Sequence, residues 1–566
     1  MTFEFATAVS TETEKELKAY SPLLKTLLAN RGITDEQDAK DFLEISYESH
    51  LHDPFLLPDM KKSVDRIIKA IDANEKIIIY SDYDADGIPG GAMLADFFRK
   101  IGYENVSNYI PHRHDEGYGF HLEALEKFAE EKAHLIITID CGITAKDEAT
   151  RAKELGVDLI ITDHHECPPE LPDAFAVINP KRKDSKYPFP ELCGTGVAFK
   201  LVQAILQKRD FGLKPGSEKL LLDLVGLATL SDMVPLTGEN RALARFGLTV
   251  LRMSRRPGLV YLLKTLNMSQ RHLTEDDVAF MITPRINAAS RMDHPDDAFE
   301  LLYTNDEVRA GALAKHLHKI NDERKGLVAS IVKDIRGRLE KEGEQKSILV
   351  AGNPKWRPSL LGLVANTLME DVGRPVFLWG RDGGGEIKGS CRANNGMSVV
   401  DLMRESKDAL LEYGGHKNAG GFSASHESIH LLDERLNEAF KTLSKQQVDM
   451  CPVSVDTTLS LDEVTLRTYT DLEKVSPFGI GNVKPLFMFQ NCVVASVRQF
   501  GKQKNHLEVS FERPSGGRVS AISFFTLPDK FGERLREGSS VNFLGHVEKS
   551  VFGGRQEIRI RLVDVI

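Results

Sequence analysis

Cysteine is scarce and scattered: six residues in a chain of 566, at positions 141, 167, 193, 391, 451 and 492, with no Cys-x-x-Cys pair. Such spacing excludes a thiolate zinc site and a disulfide framework, and it predicts a reducing, cytoplasmic setting. No uninterrupted apolar run is long enough to span a bilayer, so no membrane is expected. The opening stretch MTFEFATAVSTETEKELKAY has early acids and no apolar core before a small-residue cleavage site, so no secretion signal is expected either. Positive charge is also short overall, with a net charge of −10, which taken alone argues against a nucleic-acid partner. The distribution reverses that. Residues Ala495 to Ile566 carry 12 Lys+Arg against 8 Asp+Glu, a surplus of +4, leaving −14 on the other 494 residues. The tail is a basic module on an acidic body.

The length predicts roughly three to four domains. Residues up to about 70 read as helical (TEKELKAYSPLLKTLLANRG, DEQDAKDFLEIS). From there to about 245, the apolar runs KIIIYSD, HLIITID, VDLIITDHH and FAVINP alternate with helical segments such as GGAMLADFFRKIG and TAKDEATRAKELG, the pattern of a parallel α/β sheet. Leu313, Leu317, Ile320, Leu327, Ile331, Ile335 and Leu339 recur at helical spacing and predict one long helix from about Glu307 to Glu342, bridging two lobes. KSILVAG to about Lys445 reads as a second, smaller α/β pattern. The last stretch holds five strands (NCVVASVRQF, NHLEVSFE, RVSAISFFT, SVNFLGHVE, QEIRIRLVD), which fit a small OB-type barrel.

The segment IIIYSDYDADGIPGG runs from a buried strand into Asp82, Asp84 and Asp86. Alternate residues share a face if the strand continues and fan around one point if it turns at Gly87, so the three carboxylates converge either way. They sit at the carboxyl end of a parallel strand, where ligands bind in open α/β sheets. Unneutralised, they would repel one another, a cost that a divalent cation removes. An acidic turn after a core strand is the plain alternative. An EF-hand loop is a weaker one, because Met93 stands where its twelfth-position glutamate belongs.

The following strands end the same way. HLIITID stops at Asp140, VDLIITDHHE runs into Asp163, His164 and His165, and Asp232 closes the apolar segment LLLDLVGLATLSD. Acidic strand ends with adjacent histidines form an oxygen-rich, imidazole-supplemented ligand set suited to Mn²⁺ or Mg²⁺. Two such ions about 3.5–4 Å apart are the usual device for in-line attack of water on a phosphoryl centre.

In order and spacing, SDYDADG, IDCG, TDHHE and GLATLSDMVPLTGENRALARFGL resemble the four motifs of the DHH phosphoesterase superfamily, and EYGGHKNAGGFS resembles the glycine-rich motif of its associated C-terminal domain. YIPHRHDEGYGF, NPKRKDSKYPFPELCGTGVAFKL, TPRINAASRM, GSCRA and SPFGIGNVKPLF resemble one branch, the RecJ family of single-stranded-DNA-specific exonucleases. The expected architecture is α/β: an N-terminal helical segment (1–70), a parallel-sheet DHH catalytic domain (71–305), a bridging helix (306–345), a second, smaller α/β substrate-binding domain (346–450) and an OB-type β-barrel for nucleic acid (451–566).

The resemblance implies Asp84, Asp86, Asp140, His164 and Asp232 as ligands of two Mn²⁺ or Mg²⁺ ions. Asp140 would lie between the ions, and Asp82 would be a ligand or a partner just behind one. His165 would face the scissile phosphate, since neighbouring residues do not aim easily at one point. Asp163 suits the acceptor that orients an imidazole, and Arg113 a phosphate clamp beside the metals, the alternative for a lone arginine being an ordinary surface residue. Ser390, Arg392 and Arg285 would hold the 5′ end. Gly414, Gly415, Gly420 and Gly421 let backbone amides approach phosphates, and His416 either contacts the same backbone or caps its turn.

Lys502, Lys504, Arg559 and Arg561, near Phe500, Phe511 and Phe525, supply charge and rings in the barrel, where some of the phenylalanines must be core. The implied activity is 5′→3′ hydrolysis of single-stranded DNA to 5′-mononucleotides in DNA repair and recombination, by a monomer working with a helicase and a single-strand-binding protein. A phosphodiesterase for short oligonucleotides or cyclic dinucleotides would not need the barrel, and an inactive DNA-binding scaffold would not need the full ligand set. The chain departs from the family pattern at Pro89 and Gly91, where hydroxyl residues are usual, and at Arg357 and Ser359, where histidine and glycine are.

Overall fold

A computed structural model describes the chain except residues 1–2, 342–345, 382–384, 395, 445–451, 502–503 and 553–554, and the side chains at 529, 533, 551, 552 and 555. It divides into two units: Asp53–Asp232 with Thr249–Cys451, and Met1–His52 with Met233–Leu248 and Pro452–Ile566.

In the first unit, strands Ile77–Ser81 (β1), Val106–Tyr109 (β2), Leu135–Ile139 (β3), Asp158–Thr162 (β4) and Ala176–Ile178 (β5) form one parallel sheet in the order β2-β1-β3-β4-β5. The continuous apolar runs of β1 and β3 are buried at every residue, as a sheet covered on both faces requires. Strand β2, VSNY, is only half-buried and has no such run, which is why apolar patterning passes over it. Helix Gly87–Lys100 (α1) follows β1 and is buried without a break from Gly87 to Phe98, a run in which Asp96 is the one charged residue. Pro89 falls where a helix has no intrahelical acceptor for its amide, so it costs no hydrogen bond. At Gly91 a Cβ would lie 2.7 Å from Ser81 Oγ and 2.8 Å from Asn108 Oδ1, so the glycine is what lets α1 pack on β1 and β2.

Helix Gly194–Lys208 (α2) is also deeply buried. The segment before Asp232 is helix Leu222–Ser231 (α3), so Asp232 caps a helix and does not end a strand. An apolar run with no period is equally compatible with either. Helix Thr283–Met292 (α4) follows a π-helical turn at Val278–Ile282. The long helix is Glu307–Leu339 (α5), three residues shorter than its pattern suggests, and Leu327 in its stripe is exposed. Its first half buries Leu313, Leu317 and Ile320; its second half packs Ile331, Val332 and Ile335 against Trp356, Leu361 and Val364. Leu327 lies between these two packed stretches.

The second lobe of this unit holds strands Leu349–Gly352 (β6), Val376–Arg381 (β7), Ile387–Arg392 (β8), Glu412–His416 (β9) and Ala419–Ala424 (β10), with helix Pro358–Val372 (α6). Their order is β9-β10-β8-β7-β6, and only β6 and β7 run parallel.

In the other unit, strands Phe487–Phe500 (β11), His506–Glu512 (β12), Arg518–Ser523 (β13), Ser540–Phe552 (β14) and Arg555–Val565 (β15) run in the order β11-β12-β13-β15-β14, and β14 pairs back onto β11 to close the barrel. Its core contains Phe487, Phe489, Phe511 and Phe543 together with Leu17, Leu24, Leu27 and Leu28. The stretch 1–70 is therefore not one body. Met1–His52 belongs with the barrel, with Phe3–Phe5 paired in parallel to Val453–Val455, whereas helix Met60–Asp72 buries Val64, Ile67 and Ala70 in the first unit.

Candidate metal centre

Asp82, Asp140 and Asp163 are each the first residue beyond a parallel strand, and each is pinned by its own backbone. The Asp82 amide donates to Ile139 O (3.1 Å), the Asp140 amide to Thr162 O (3.0 Å) and the Asp163 amide to Ile178 O (3.1 Å). The sheet ladder thus continues one residue past its strands and sets three acids side by side. Asp140 has a left-handed backbone (φ 63°), an uncommon conformation for a non-glycine residue and one that concentrates at functional sites.

The Asp82–Gly87 loop is tight. Asp84 Oδ1 accepts from the amides of Asp86 (2.7 Å) and Gly87 (3.2 Å), and a Cβ at Gly87 would lie 2.4 Å from Asp82 O. Asn287 on α4 accepts from the Ala85 amide at 2.9 Å. The N-terminus of α2 grips Asp86: Gly194 N donates to Oδ2 (2.6 Å), Thr195 N to Oδ1 (2.8 Å) and Thr195 Oγ1 to the Asp86 carbonyl (2.6 Å). A helix N-terminus favours a carboxylate there through its free amides and dipole.

Two neighbouring ligand sets result. Asp86, His164 and Asp232 bring ligand atoms within 4.8 Å of one another, and so do Asp82, Asp84 and Asp140. His164 Nε2 joins the sets, 3.1 Å from Asp140 Oδ1, 3.7 Å from Asp232 Oδ2 and 3.8 Å from Asp86 Oδ2. Asp82 Oδ1 and Asp232 Oδ2 are buried and accept no hydrogen bond. Burial, and then the neighbouring carboxylates, push the Asp82 and Asp140 carboxyls well above their ordinary range and Asp232 up to about 9. A largely buried cluster of mutually repelling acids with unused oxygens fits two hard divalent cations.

Asp163 is different. Its Oδ2 accepts from the Ile143 amide (2.9 Å), and its Oδ1 from the amides of His164 (2.7 Å) and His165 (3.0 Å) and from His165 Nδ1 (2.8 Å). With both oxygens taken, it orients His165. Burial lowers the His165 imidazole, but Asp163 outweighs that and raises it. Asn179 Nδ2 holds the His165 carbonyl at 2.9 Å.

Arg113 stacks over Tyr83, 4.7 Å from the ring centroid, in the same aspartate loop. In the second lobe, Ser390 and Arg392 lie two apart on β8 and share a face, while Cys391 points into the core. Ser390 pairs with Gly421, Cys391 with Gly420, Gly414 with Gly421 and Gly415 with Gly420, so GSCRA and GGHKNAGGF form adjoining strands. His416 at the end of β9 is exposed. A Cβ at Gly415 would lie 2.4 Å from Ala419 O, so this glycine serves the hairpin. Arg285 is on α4, buried, and donates to Met281 O (2.8 Å) in the π-helical turn. Its charge neighbours are Asp322 and Arg324 of α5. The replacement Ser359 accepts from Arg291 Nη1 through its carbonyl (2.7 Å) and donates its hydroxyl to the Arg291 carbonyl (3.1 Å), and Arg357 precedes α6 as its N-cap residue.

In the barrel unit, Phe511 is core, whereas Phe525 is 81% exposed. Phe500, His506, Phe524 and Phe525 form one aromatic cluster, with ring centroids 4.8–6.1 Å apart. Arg559 and Arg561 lie over Phe524, and Lys502 falls outside the described residues.

Asn287, Gly194, Thr195 and Asn179 had no role in the sequence reading. Gly194 and Thr195 fall in a Cys-Gly-Thr-Gly stretch just before an apolar helical run, a helix-start signal that points to anion contacts only once Asp86 is known to lie opposite.

These features define a DHH-type phosphoesterase module. Residues 76–229 match the DHH family N-terminal domain, 345–446 the DHHA1 domain and 455–564 the RecJ OB domain. The chain is 36% identical to the single-stranded-DNA-specific exonuclease RecJ of Bacillus subtilis, over 96% of this chain and 68% of that protein, and 31% identical to that of Escherichia coli, over 88% and 87%. The crystal structure of Thermus thermophilus RecJ with Mn²⁺ superposes with a TM-score of 0.80 at 28% identity, covering 98% of this chain and 77% of that one; the Mg²⁺ complex gives 0.74 at 26%, covering 98% and 76%. The chain belongs to the RecJ family of single-stranded-DNA-specific exonucleases.

Proposed function

We propose that the protein is a two-metal exonuclease that removes 5′-mononucleotides from the 5′ end of single-stranded DNA, in DNA repair and recombination. The observation that carries this is the pair of ligand sets, Asp82, Asp84 and Asp140 beside Asp86, His164 and Asp232, joined through His164 and Asp140. A bound ion pair supplies Lewis acidity toward the scissile phosphate and a water of lowered pKa as nucleophile. The chain's own groups do the rest. Asp82, Asp84, Asp86, Asp140, His164 and Asp232 would hold the cations. His165, fixed by Asp163, presents its free nitrogen to the phosphate and stabilises charge that develops there. Arg113 contacts a non-bridging oxygen. Ser390, Arg392 and Arg285 receive the 5′ phosphate, with Gly414, Gly415, Gly420, Gly421 and His416 forming the backbone wall beside them, which sets the direction of cutting. The cluster of Phe500, His506, Phe524 and Phe525, with Arg559 and Arg561, offers rings to bases and charge to phosphates.

The same reading carries a helicase and a single-strand-binding protein as partners, a monomeric state and a cytoplasmic location. Among the described residues no helix is long and apolar enough to cross a membrane. The test is degradation of 5′- and 3′-labelled single strands with Mn²⁺ or Mg²⁺ and with chelator. Mononucleotides should leave first from the 5′ label, in the presence of metal only; attack from the 3′ end or full activity in chelator overturns the reading.

A further inference from the structure

Tyr118 is conspicuous at the metal centre because it is 51% exposed while Asp82, Asp86, Asp140 and His164 are buried. Its hydroxyl donates to the Asp140 carbonyl at 3.4 Å and lies 3.3 Å from His165 Nδ1, and its ring meets the His165 ring edge-on at 5.8 Å. The phenol end therefore meets two residues of the centre, while about half of the residue's surface stays exposed. Gly117 (φ 89°) and Gly119 (φ 110°) flank it, and a Cβ at either would meet nothing within 4 Å. Crowding does not explain these glycines; the left-handed backbone that projects the ring does. The loop is anchored on both sides. Tyr80 of β1 donates to Gly119 O (2.9 Å), and Glu116 accepts from Tyr109 Oη (2.7 Å) and His112 N (2.6 Å). The other ring of the site, Tyr83, is buried and already covered by Arg113.

An exposed ring beside a phosphodiester site matches a nucleobase in shape and chemistry. We propose that Tyr118 stacks on the base adjoining the scissile phosphate and so aligns that nucleotide for hydrolysis. The inference rests on the exonuclease reading above. Every base has a π-face, so such a contact holds the strand without selecting its sequence.

The test compares cleavage rates on 5′-phosphorylated single strands carrying thymine, or an abasic tetrahydrofuran residue, at the first or second position. Wild type should lose roughly ten- to a hundred-fold when the base at one of these positions is missing. Tyr118→Ala should lose a similar factor on the intact strand and nothing further on the abasic one, the non-additivity expected of partners in contact. Tyr118→Phe keeps the ring and should keep the discrimination. Mn²⁺ affinity, followed by electron paramagnetic resonance, should be unchanged in both variants. The inference is overturned if Tyr118→Ala discriminates as wild type does, if Tyr118→Phe behaves like the alanine variant, or if either loses Mn²⁺, since the phenol would then serve the metal centre. A wild-type enzyme that cuts the intact strand but ignores the missing base overturns this inference alone. One that cuts neither strand overturns the exonuclease reading and this inference with it.

Discussion

Gly194 approaches Asp140 so closely that a Cβ on the glycine would lie 2.5 Å from the Asp140 Cβ. This approach lets the amides of Gly194 and Thr195 reach the carboxylate of Asp86, so one glycine sets the spacing between two candidate ligands that follow different strands. Gly194→Ala should push α2 away from both acids. A displacement of about 1 Å at a reacting centre costs on the order of a hundred-fold in rate. Turnover should fall by about that much and Mn²⁺ should bind more weakly, as steady-state kinetics and metal titration will show; wild-type values for both would refute the spacing role.

The buried carboxylates predict opposite effects of one substitution with and without metal. Asp140→Asn removes a carboxyl that burial and its acidic neighbours push well above its ordinary range, so in chelator the variant should melt above wild type. With Mn²⁺ the order should reverse, because wild type gains metal-binding energy that the variant loses. Turnover of Asp140→Ala should be nearly abolished while single-strand binding persists. Differential scanning calorimetry with and without Mn²⁺ decides the first part and a filter-binding assay the second.

Arg256 ties α1 to the start of α3, donating to Asp96 Oδ2 and Asp223 Oδ2, each at 2.8 Å. Burial alone would raise the Asp96 carboxyl, but Arg256, Lys100 and Arg99 overcome this and hold it down at about 2. A carboxyl with a depressed folded pKa stabilises above its unfolded value and loses that contribution as pH falls through the folded one. Asp96 should therefore contribute roughly 2 kcal/mol near neutrality, lost between about pH 4 and pH 2. Urea titrations of wild type and Asp96→Asn at pH 7 and pH 2 measure it: the gap between them should close in acid.

On the proposed reading, Arg392 of β8 helps to set polarity. Replacing Arg392 with alanine removes a charge-assisted contact worth about 1.5–3 kcal/mol, so a preference for a 5′-phosphate over a 5′-hydroxyl should shrink by roughly one to two orders of magnitude. Lysine restores charge without the planar grip and should recover part of that preference. Cutting of closed circles as fast as linear strands by wild type would remove the pocket from consideration.

The contribution of the basic tail calls for point substitutions. Deleting residues 495–566 would strip away a core shared with Leu17, Leu24, Leu27 and Leu28, and any loss of binding would then report unfolding. Phe525→Ala should weaken single-strand binding with little change in salt dependence, whereas Arg559→Ala should reduce the salt slope by about 1. Equal slopes for wild type and Arg559→Ala would deny that arginine a phosphate.

Much of the candidate centre was legible because parallel strands bind at their carboxyl ends and the chain marks three of those ends with acid. Asp82, Asp140 and Asp163 needed no tertiary information to be singled out, and the DHH and RecJ motifs placed them in a family. Local spacing also carried α5 and the five barrel strands, since periods of 3.6 and 2 are properties of the backbone. The placement of Asp232 was different. Its apolar run has no period, and only the packing of α3 against α1 makes it a helix whose end meets the other acids. The grip of Gly194 and Thr195 on Asp86 spans more than a hundred residues, and neither partner announces the other. Within the barrel, alternation shows that Phe511 and its neighbours face opposite sides, but which side is inside depends on closure. Phe511 became core because β14 returns to β11 and Leu17, Leu24, Leu27 and Leu28 join the same core, whereas Phe525 lies beyond the end of β13 and is exposed. Sequence encodes local geometry and chemical type; which distant groups meet is settled by how apolar faces are buried together, a property of the whole chain.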